Sequence, residues 1–241
     1  MINVYYLSAI FFLYISSNVY ASNNGCLSFD VLLTQNIENQ GFHRELKWLL
    51  EVIRPDTSTL IKNECSFAVE LDMPPSVFVN PDELADLQRL GILKTFIGEF
   101  VDIELTEHEA TNHTVYIFIE TDDFSKVSLT LPFHARYQRS QISGGYGKAV
   151  LNKPRLLVRC LQKKEKLCEK FSTEAPCDFR GDEKCQWFDI KYKSLLEVNE
   201  MLVPVGDLDH YPLVSIVTLS IGCMGCIYIL SLFSVFSKKP I

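Results

Sequence analysis

Four short runs in the middle of the chain combine apolar, β-branched and aromatic residues: 66–71 (SFAVEL), 115–119 (VYIFI), 127–131 (VSLTL) and 156–160 (LLVRC). Pro, Asn, Asp or Gly bounds each of them, which predicts short strands separated by turns. Strands of this length, with turn signals about every ten residues, suggest a β-sandwich. Segment 44–53 is ambiguous, because Leu46, Leu49, Leu50 and Ile53 fit one face of a helix while the flanking sequence suits a strand. One helix is better defined. Asn80 can cap it, Pro81 suits its first turn, Glu83 completes a capping box, Leu84 and Leu87 give an apolar face, and Gly91 can end it. No repeat, low-complexity tract or Gly/Ser linker divides the chain. The predicted fold is mostly β, a single sandwich-like domain whose C-terminal third is mixed and stapled by disulfides.

The pattern changes at both ends. Segment 213–236 runs for 24 residues without a charge and is followed by Ser237-Lys238-Lys239-Pro240-Ile241. About 20 apolar residues cross the roughly 30 Å hydrocarbon core as a helix, and paired lysines after the span belong on the cytoplasmic side. Lys238 and Lys239 also sit at the positions of a dilysine retrieval signal of endoplasmic reticulum residents; a plain stop-transfer anchor is the alternative. At the front, 4–16 is an apolar and aromatic run, and Val19-Tyr20-Ala21 offers a signal-peptidase site after Ala21. The expected layout is a signal peptide at 1–21, a lumenal β-rich domain at 22–210, a transmembrane helix at 213–236 and a cytoplasmic tail at 237–241.

Charge and cysteine usage narrow the setting further. All 30 Asp and Glu lie in the lumenal segment with 21 of the 23 Lys and Arg, so that segment is acidic. Nucleic acid is an unsuitable partner, because tracking phosphates needs a basic stripe. Lys163-Lys164-Glu165-Lys166 reads as a solvated loop. Six of the eight cysteines, Cys26, Cys65, Cys160, Cys168, Cys177 and Cys185, are lumenal. An even count in an oxidising compartment reads as disulfides, whereas the closely spaced pairs of a zinc site are missing. Spacing does not give the connectivity, although Cys177–Cys185 and Cys160–Cys168 would close local loops. Asn112-His113-Thr114 is an N-glycosylation acceptor, which places Asn112 on the surface.

The search for reactive chemistry finds little. Ser143-Gly144-Gly145-Tyr146-Gly147 lacks the Lys-Ser/Thr ending of a phosphate loop and reads as a hairpin turn. Asp207-Leu208-Asp209 has the spacing by which some glycosyltransferases hold a metal, since two carboxylates can share a divalent ion; an acidic stalk beside the membrane is the plainer reading. The five histidines are scattered, with no nucleophile elbow or zinc-protease motif beside them. No cofactor or metal is therefore expected. Within the apolar helix, Thr218, Gly222 and Cys226 recur every four residues and form a small-residue ridge on which another membrane helix can pack closely.

Several motifs together resemble the PIG-X family. They are Gly41-Phe42-His43-Arg44, Met73-Pro74-Pro75 leading into Val79-Asn80-Pro81-Asp82-Glu83-Leu84, and Leu131-Pro132-Phe133-His134-Ala135-Arg136-Tyr137. Pro176-Cys177, Cys185-Gln186-Trp187 with Lys191-Tyr192-Lys193-Ser194, and Val203-Pro204-Val205-Gly206 continue the series. Each is short, but their order and spacing cover nearly the whole chain. The resemblance implies a non-catalytic subunit in the endoplasmic reticulum membrane that stabilises PIG-M. That partner is the polytopic enzyme of glycosylphosphatidylinositol mannosyltransferase I, which adds the first mannose to the glucosaminyl-phosphatidylinositol precursor. The resemblance also marks His134, Arg136 and Tyr137 as family-characteristic positions, which either lock strands together or form an interface with the partner, since an arginine can fork onto a carboxylate and a tyrosine joins apolar area to a polar tip. A cell-surface receptor or adhesion ectodomain, or a lumenal hydrolase, would share the signal and anchor.

Overall fold

Alternation of buried and exposed side chains turns the apolar runs into strands. In β7 (His113–Ile119), every second residue is buried, from His113 through Val115 and Ile117 to Ile119. The computed structural model describes residues 26–161, 166–169 and 171–237. The expected signal peptide, 1–21, and the lysines Lys238 and Lys239 lie outside the described residues, as does most of the basic cluster at 163–166.

Two sheets carry the fold. One is antiparallel throughout, in the order β12 (Ser172–Pro176), β13 (Lys184–Ile190), β10 (Arg155–Cys160), β4 (Cys65–Met73), β7 and β6 (Lys94–Ile97). The other runs β14 (Lys193–Glu197), β2 (Asp30–Glu38), β3 (His43–Arg54), β8 (Val127–Ala135) and β5 (Val77–Phe78), with the β14–β2 pair parallel. Their facing sides share one apolar core that includes Trp48, Leu50 and Phe133 from the second sheet and Phe67, Ile117 and Val158 from the first. The fold is therefore mostly β, a disulfide-bonded sandwich as expected. Short pairs of strands flank it: β1 (Cys26–Leu27) beside β11 (Lys166–Leu167), and β9 (Tyr146–Val150) beside β15 (Glu200–Pro204).

The ambiguous segment is strand β3. Leu46, Trp48, Leu50 and Val52 all turn inward, so a period of two wins over the helical reading. Inward polarity also has a reason on the neighbouring strand. The buried Gln35 of β2 stands opposite Trp48 and accepts its indole N–H at 2.7 Å.

A smaller apolar cluster lies on the outer face of the six-stranded sheet, where Ala68, Leu157, Ala175 and Trp187 are buried together. The Trp187 indole donates to the Pro176 carbonyl at 3.0 Å, and the Arg159 guanidinium lies 5.2 Å over its ring. The β12–β13 connection reaches across this face to Phe96 on the opposite edge strand. Gly181, at its tip, has φ +72°, and a Cβ there would run into the Phe96 ring.

The described residues hold three disulfides. Cys177–Cys185 closes the β12–β13 hairpin, as its spacing suggests. The other local pair, Cys160–Cys168, does not form. Cys160 bonds Cys65, its neighbour across β10 and β4, and Cys168 bonds Cys26, beside the β1–β11 pair. Strand pairing, not sequence proximity, brings these thiols together.

Three helices complete the described structure. These are α1 (Thr57–Lys62), α2 (Pro81–Arg89) and α3 (Tyr211–Ser237), with a short 3-10 turn (Leu208–His210) leading into the last. Helix α2 follows the expected signals, with one correction. Asn80 caps it by accepting from the Asp82 N–H at 3.0 Å, while the Glu83 carboxylate faces two histidines instead of completing a capping box. Helix α3 is long and apolar enough to cross a membrane, and none of the other described residues buries it.

Candidate functional site

Strand register assembles the motif residues into one corner. The β3–β8 pairing sets His43 opposite His134, and the β5–β8 pairing sets Phe78 on its other side. The three rings form a column. His43 and His134 stack at 4.6 Å with an interplanar angle of 23°, and Phe78 and His134 at 5.1 Å with 18°. The first turn of α2 brings Glu83 to this column, with Oε1 3.4 Å from His43 Nε2 and Oε2 3.9 Å from His134 Nδ1. Burial, reinforced by the neighbouring His43, holds the His134 pKa below the usual histidine range, and Glu83 partly opposes that shift.

Two histidines and a carboxylate also invite a metal. The three potential ligand atoms lie within 4.8 Å of one another. Imidazole donates its lone pair in the ring plane, however, and the nearly parallel rings direct those lone pairs along neighbouring planes instead of toward one centre. The arrangement fits a carboxylate clamp between β3, β8 and α2 better than a tetrahedral zinc site.

Arg136 follows on β8's exit and is turned inward, only 4% exposed. Its guanidinium lies 4.6 Å over Phe78, Nη1 donates to the Leu105 carbonyl at 2.7 Å, and its main-chain N–H donates to Ser76 at 2.9 Å. The guanidinium is thus turned into the domain, bonded through Nη1 and laid on Phe78, with Nε buried and without a hydrogen-bond partner among the described residues. His134 is likewise occupied by its stack. Tyr137 is the outward member of the three, 69% exposed, with its ring 4.8 Å from Phe42. Beside Arg136, buried His113 accepts weakly from the Val79 N–H at 3.5 Å. Burial, with the Arg136 charge second, pushes its pKa down to about 4.

Phe42 and Tyr137 open onto a groove of about 870 Å³ whose other wall is Pro204, Val205, Gly206 and Leu208, at the foot of α3. Arg44 ties the same region together, donating to the carbonyls of Gly41 at 2.9 Å and Leu202 at 2.7 Å. Four separated motifs, around His43, Glu83, His134 and Val205, thus meet where the sandwich joins its apolar helix.

The remaining candidates fall elsewhere. Asp207 and Asp209 are engaged by backbone: Asp207 Oδ1 accepts from the Asp209 N–H at 2.9 Å, and Asp209 Oδ2 from the Ser143 N–H at 3.1 Å. That use fits the stalk reading. The Ser143–Gly147 segment is not a hairpin turn, because the strand after it, β9, pairs with β15 and not with β8. It is a turn clasped onto the stalk. Gly144 there has φ +60° and lies against Asp207. The six sandwich cysteines are all oxidised, which removes the thiol a Cys–His nucleophilic pair would need; Cys223 and Cys226 are free, on α3. Asn112 is exposed, its amide donating to Asp72 at 3.2 Å. Thr218, Gly222 and Cys226 follow one another by a turn along an uncovered face of α3.

The sequence marks His134 and Tyr137 but does not show Glu83 as the residue facing both His134 and His43, or Phe42 as the aromatic neighbour of Tyr137 in the groove. The motifs that contain them were the available signal.

Fold and corner define a class: a disulfide-stapled β-sandwich joined to one membrane-length helix, whose clustered polar side chains hold its own strands and loops together. The chain belongs to the PIG-X / PBN1 family, whose sequence profile matches residues 39–233. It is 32% identical over 197 residues to the human and rat proteins named "GPI alpha-1,4-mannosyltransferase I, stabilizing subunit". The alignments cover 80% of this chain and 75% of the human or 77% of the rat protein.

Proposed function

We propose that this chain is the non-catalytic, stabilising subunit of a glycosylphosphatidylinositol mannosyltransferase I. The observation that carries the reading is the extent of the family match, which runs through the sandwich, the corner and most of α3. Its relatives bear the name of a stabilising subunit over four fifths of this chain. In this account the partner is the polytopic catalytic subunit, PIG-M, which adds the first mannose to the glucosaminyl-phosphatidylinositol precursor. The sandwich, residues 22–210 after signal removal, sits in the lumen of the endoplasmic reticulum, carries a glycan on Asn112, and is anchored by 213–236 with Lys238 and Lys239 in the cytosol.

The mechanism is mass action: a subunit that binds the folded partner and not its unfolded form adds its binding free energy to the partner's stability. Two surfaces suit that role, the open groove beside Tyr137 and the Thr218, Gly222 and Cys226 ridge, where small side chains let helices approach closely. Affinity purification of the tagged chain from mild detergent, followed by mass spectrometry, tests the proposal. Near-equimolar recovery of a polytopic mannosyltransferase is expected. Reproducible recovery of other partners without it would overturn the reading.

A further inference from the structure

We infer that the turn at 141–146 and the stalk before α3 form a foot that rests in the lipid–water interface, fixing the sandwich against the bilayer. This extends the proposed function and rests on its reading that α3 crosses the membrane. Four hydrogen bonds clasp the turn to the stalk: Gln141 N–H to the Gly206 carbonyl at 2.9 Å, Leu208 N–H to the Gln141 carbonyl at 2.9 Å, Val205 N–H to the Gly145 carbonyl at 3.0 Å, and Ser143 N–H to Asp209 Oδ2 at 3.1 Å. Asp209 is two residues before the start of α3. Ser143 is therefore bonded to a residue only about 4 Å of 3-10 rise from the start of the membrane helix, and Tyr146, the first residue of β9, pairs with Pro204 farther up the stalk.

What the turn, the stalk and the adjoining ends of β9 and α3 display there is apolar and amphipathic. Ile142 is 75% exposed, Tyr146 69%, Leu208 47% and Tyr211 69%. Tyrosines favour the headgroup level, with the ring toward the acyl chains and the hydroxyl in water. The headgroup region adds roughly 6 Å on each side of the hydrocarbon core, deep enough to reach Ser143 where it meets Asp209. Asp207 and Asp209, which would oppose such contact, are each bonded within the turn and stalk: Asp209 Oδ2 accepts from Ser143 N–H, Asp207 Oδ1 from Asp209 N–H, and Asp207 Oδ2 lies 3.4 Å from His210 Nδ1. The occupant of this surface is thus the bilayer interface, reached because covalent continuity with α3 leaves no free stalk to lift the domain away. A consequence is that the groove between Tyr137 and Val205 opens beside the membrane, at a constant height.

Depth measurement on the full chain in phosphatidylcholine nanodiscs tests this. A nitroxide is placed by Ile142→Cys, and separately by Tyr146→Cys, in a Cys223→Ser, Cys226→Ser background. Ile227→Cys in α3 and Ile53→Cys at the far end of β3 serve as references. Both foot labels are expected to collide several-fold more with oxygen, relative to a water-soluble nickel chelate, than the label at 53 does. Foot labels as open to the nickel chelate as the label at 53, with the label at 227 lipid-buried, would overturn the foot alone. A label at 227 open to the chelate would instead remove the membrane-crossing reading and the foot with it. Foot labels shielded from both reagents in the complex with the copurified partner would assign the surface to that partner and overturn the proposal.

Discussion

His43 and His134 stack face to face at 4.6 Å across β3 and β8, and the Glu83 carboxylate spans both rings from α2. One carboxylate therefore faces both strands of the corner from the helix above them. Glu83→Ala is expected to loosen α2 and cost about 1 kcal/mol of unfolding free energy, a small figure because the group is partly exposed. Glu83→Gln should recover part of that loss, as it keeps the side chain's shape and a polar oxygen facing the two rings. Thermal unfolding measures both. Because the rings suit a clamp and not a metal, neither chelator nor added zinc should move the midpoint; a zinc-dependent rise would show that the residues bind metal.

Gly181 and Phe96 lock the β12–β13 connection over the outer face. Gly181→Val places a β-branched side chain at φ +72° and against the ring, and should destabilise by about 2–3 kcal/mol from backbone strain and overpacking together. Adding Phe96→Ala should restore space but not the backbone conformation, so a double-mutant cycle would return a coupling smaller than the whole loss. Additive costs would mean that the tip does not lie on Phe96.

Much of the sandwich was legible in the sequence, and its failures have physical causes. The runs that became β4, β7, β8 and β10 alternate or are continuously apolar, and they kept their places. β2 was missed because Gln35 occupies an inward position, which only the indole of Trp48 explains. β13 was missed because Trp187 packs on the outer face, so the strand buries residues on both sides. The corner was visible as motifs but not as a site. Glu83 reads locally as a capping residue, and the two histidines it joins are set by strand register tens of residues away.

The same long-range logic governs the disulfides. Non-reducing peptide mapping should recover Cys26–Cys168, Cys65–Cys160 and Cys177–Cys185 as the linked pairs. Replacing Cys65 and Cys160 together by serine removes a cross-link spanning 95 residues and should cost about 2–5 kcal/mol. A Cys160–Cys168 peptide in the native protein would contradict the β10–β4 register.

Acid should weaken the fold through His113. Its pKa is about 4 in the fold against roughly 6.5 in an unfolded chain, so the unfolded state takes up the proton first. Stability is full above about pH 6.5, falls as pH drops from there to about 4, and levels off below; the loss is on the order of 3 kcal/mol. His134, displaced in the same direction by burial, adds to the decline. His113→Gln keeps an acceptor for the Val79 N–H and should flatten the pH profile of urea unfolding. An unchanged slope would mean that His113 is protonated in the fold.

On the proposed function, this chain keeps a catalytic partner folded. The most direct test is the lifetime of the polytopic mannosyltransferase after translation is blocked, in cells with and without the chain. Rapid loss of the partner is expected without the chain, with restoration by the wild-type protein carrying α3. A partner equally long-lived in both cells, while lipid mannosylation still fails, would contradict stabilisation and assign the chain a direct part in the reaction.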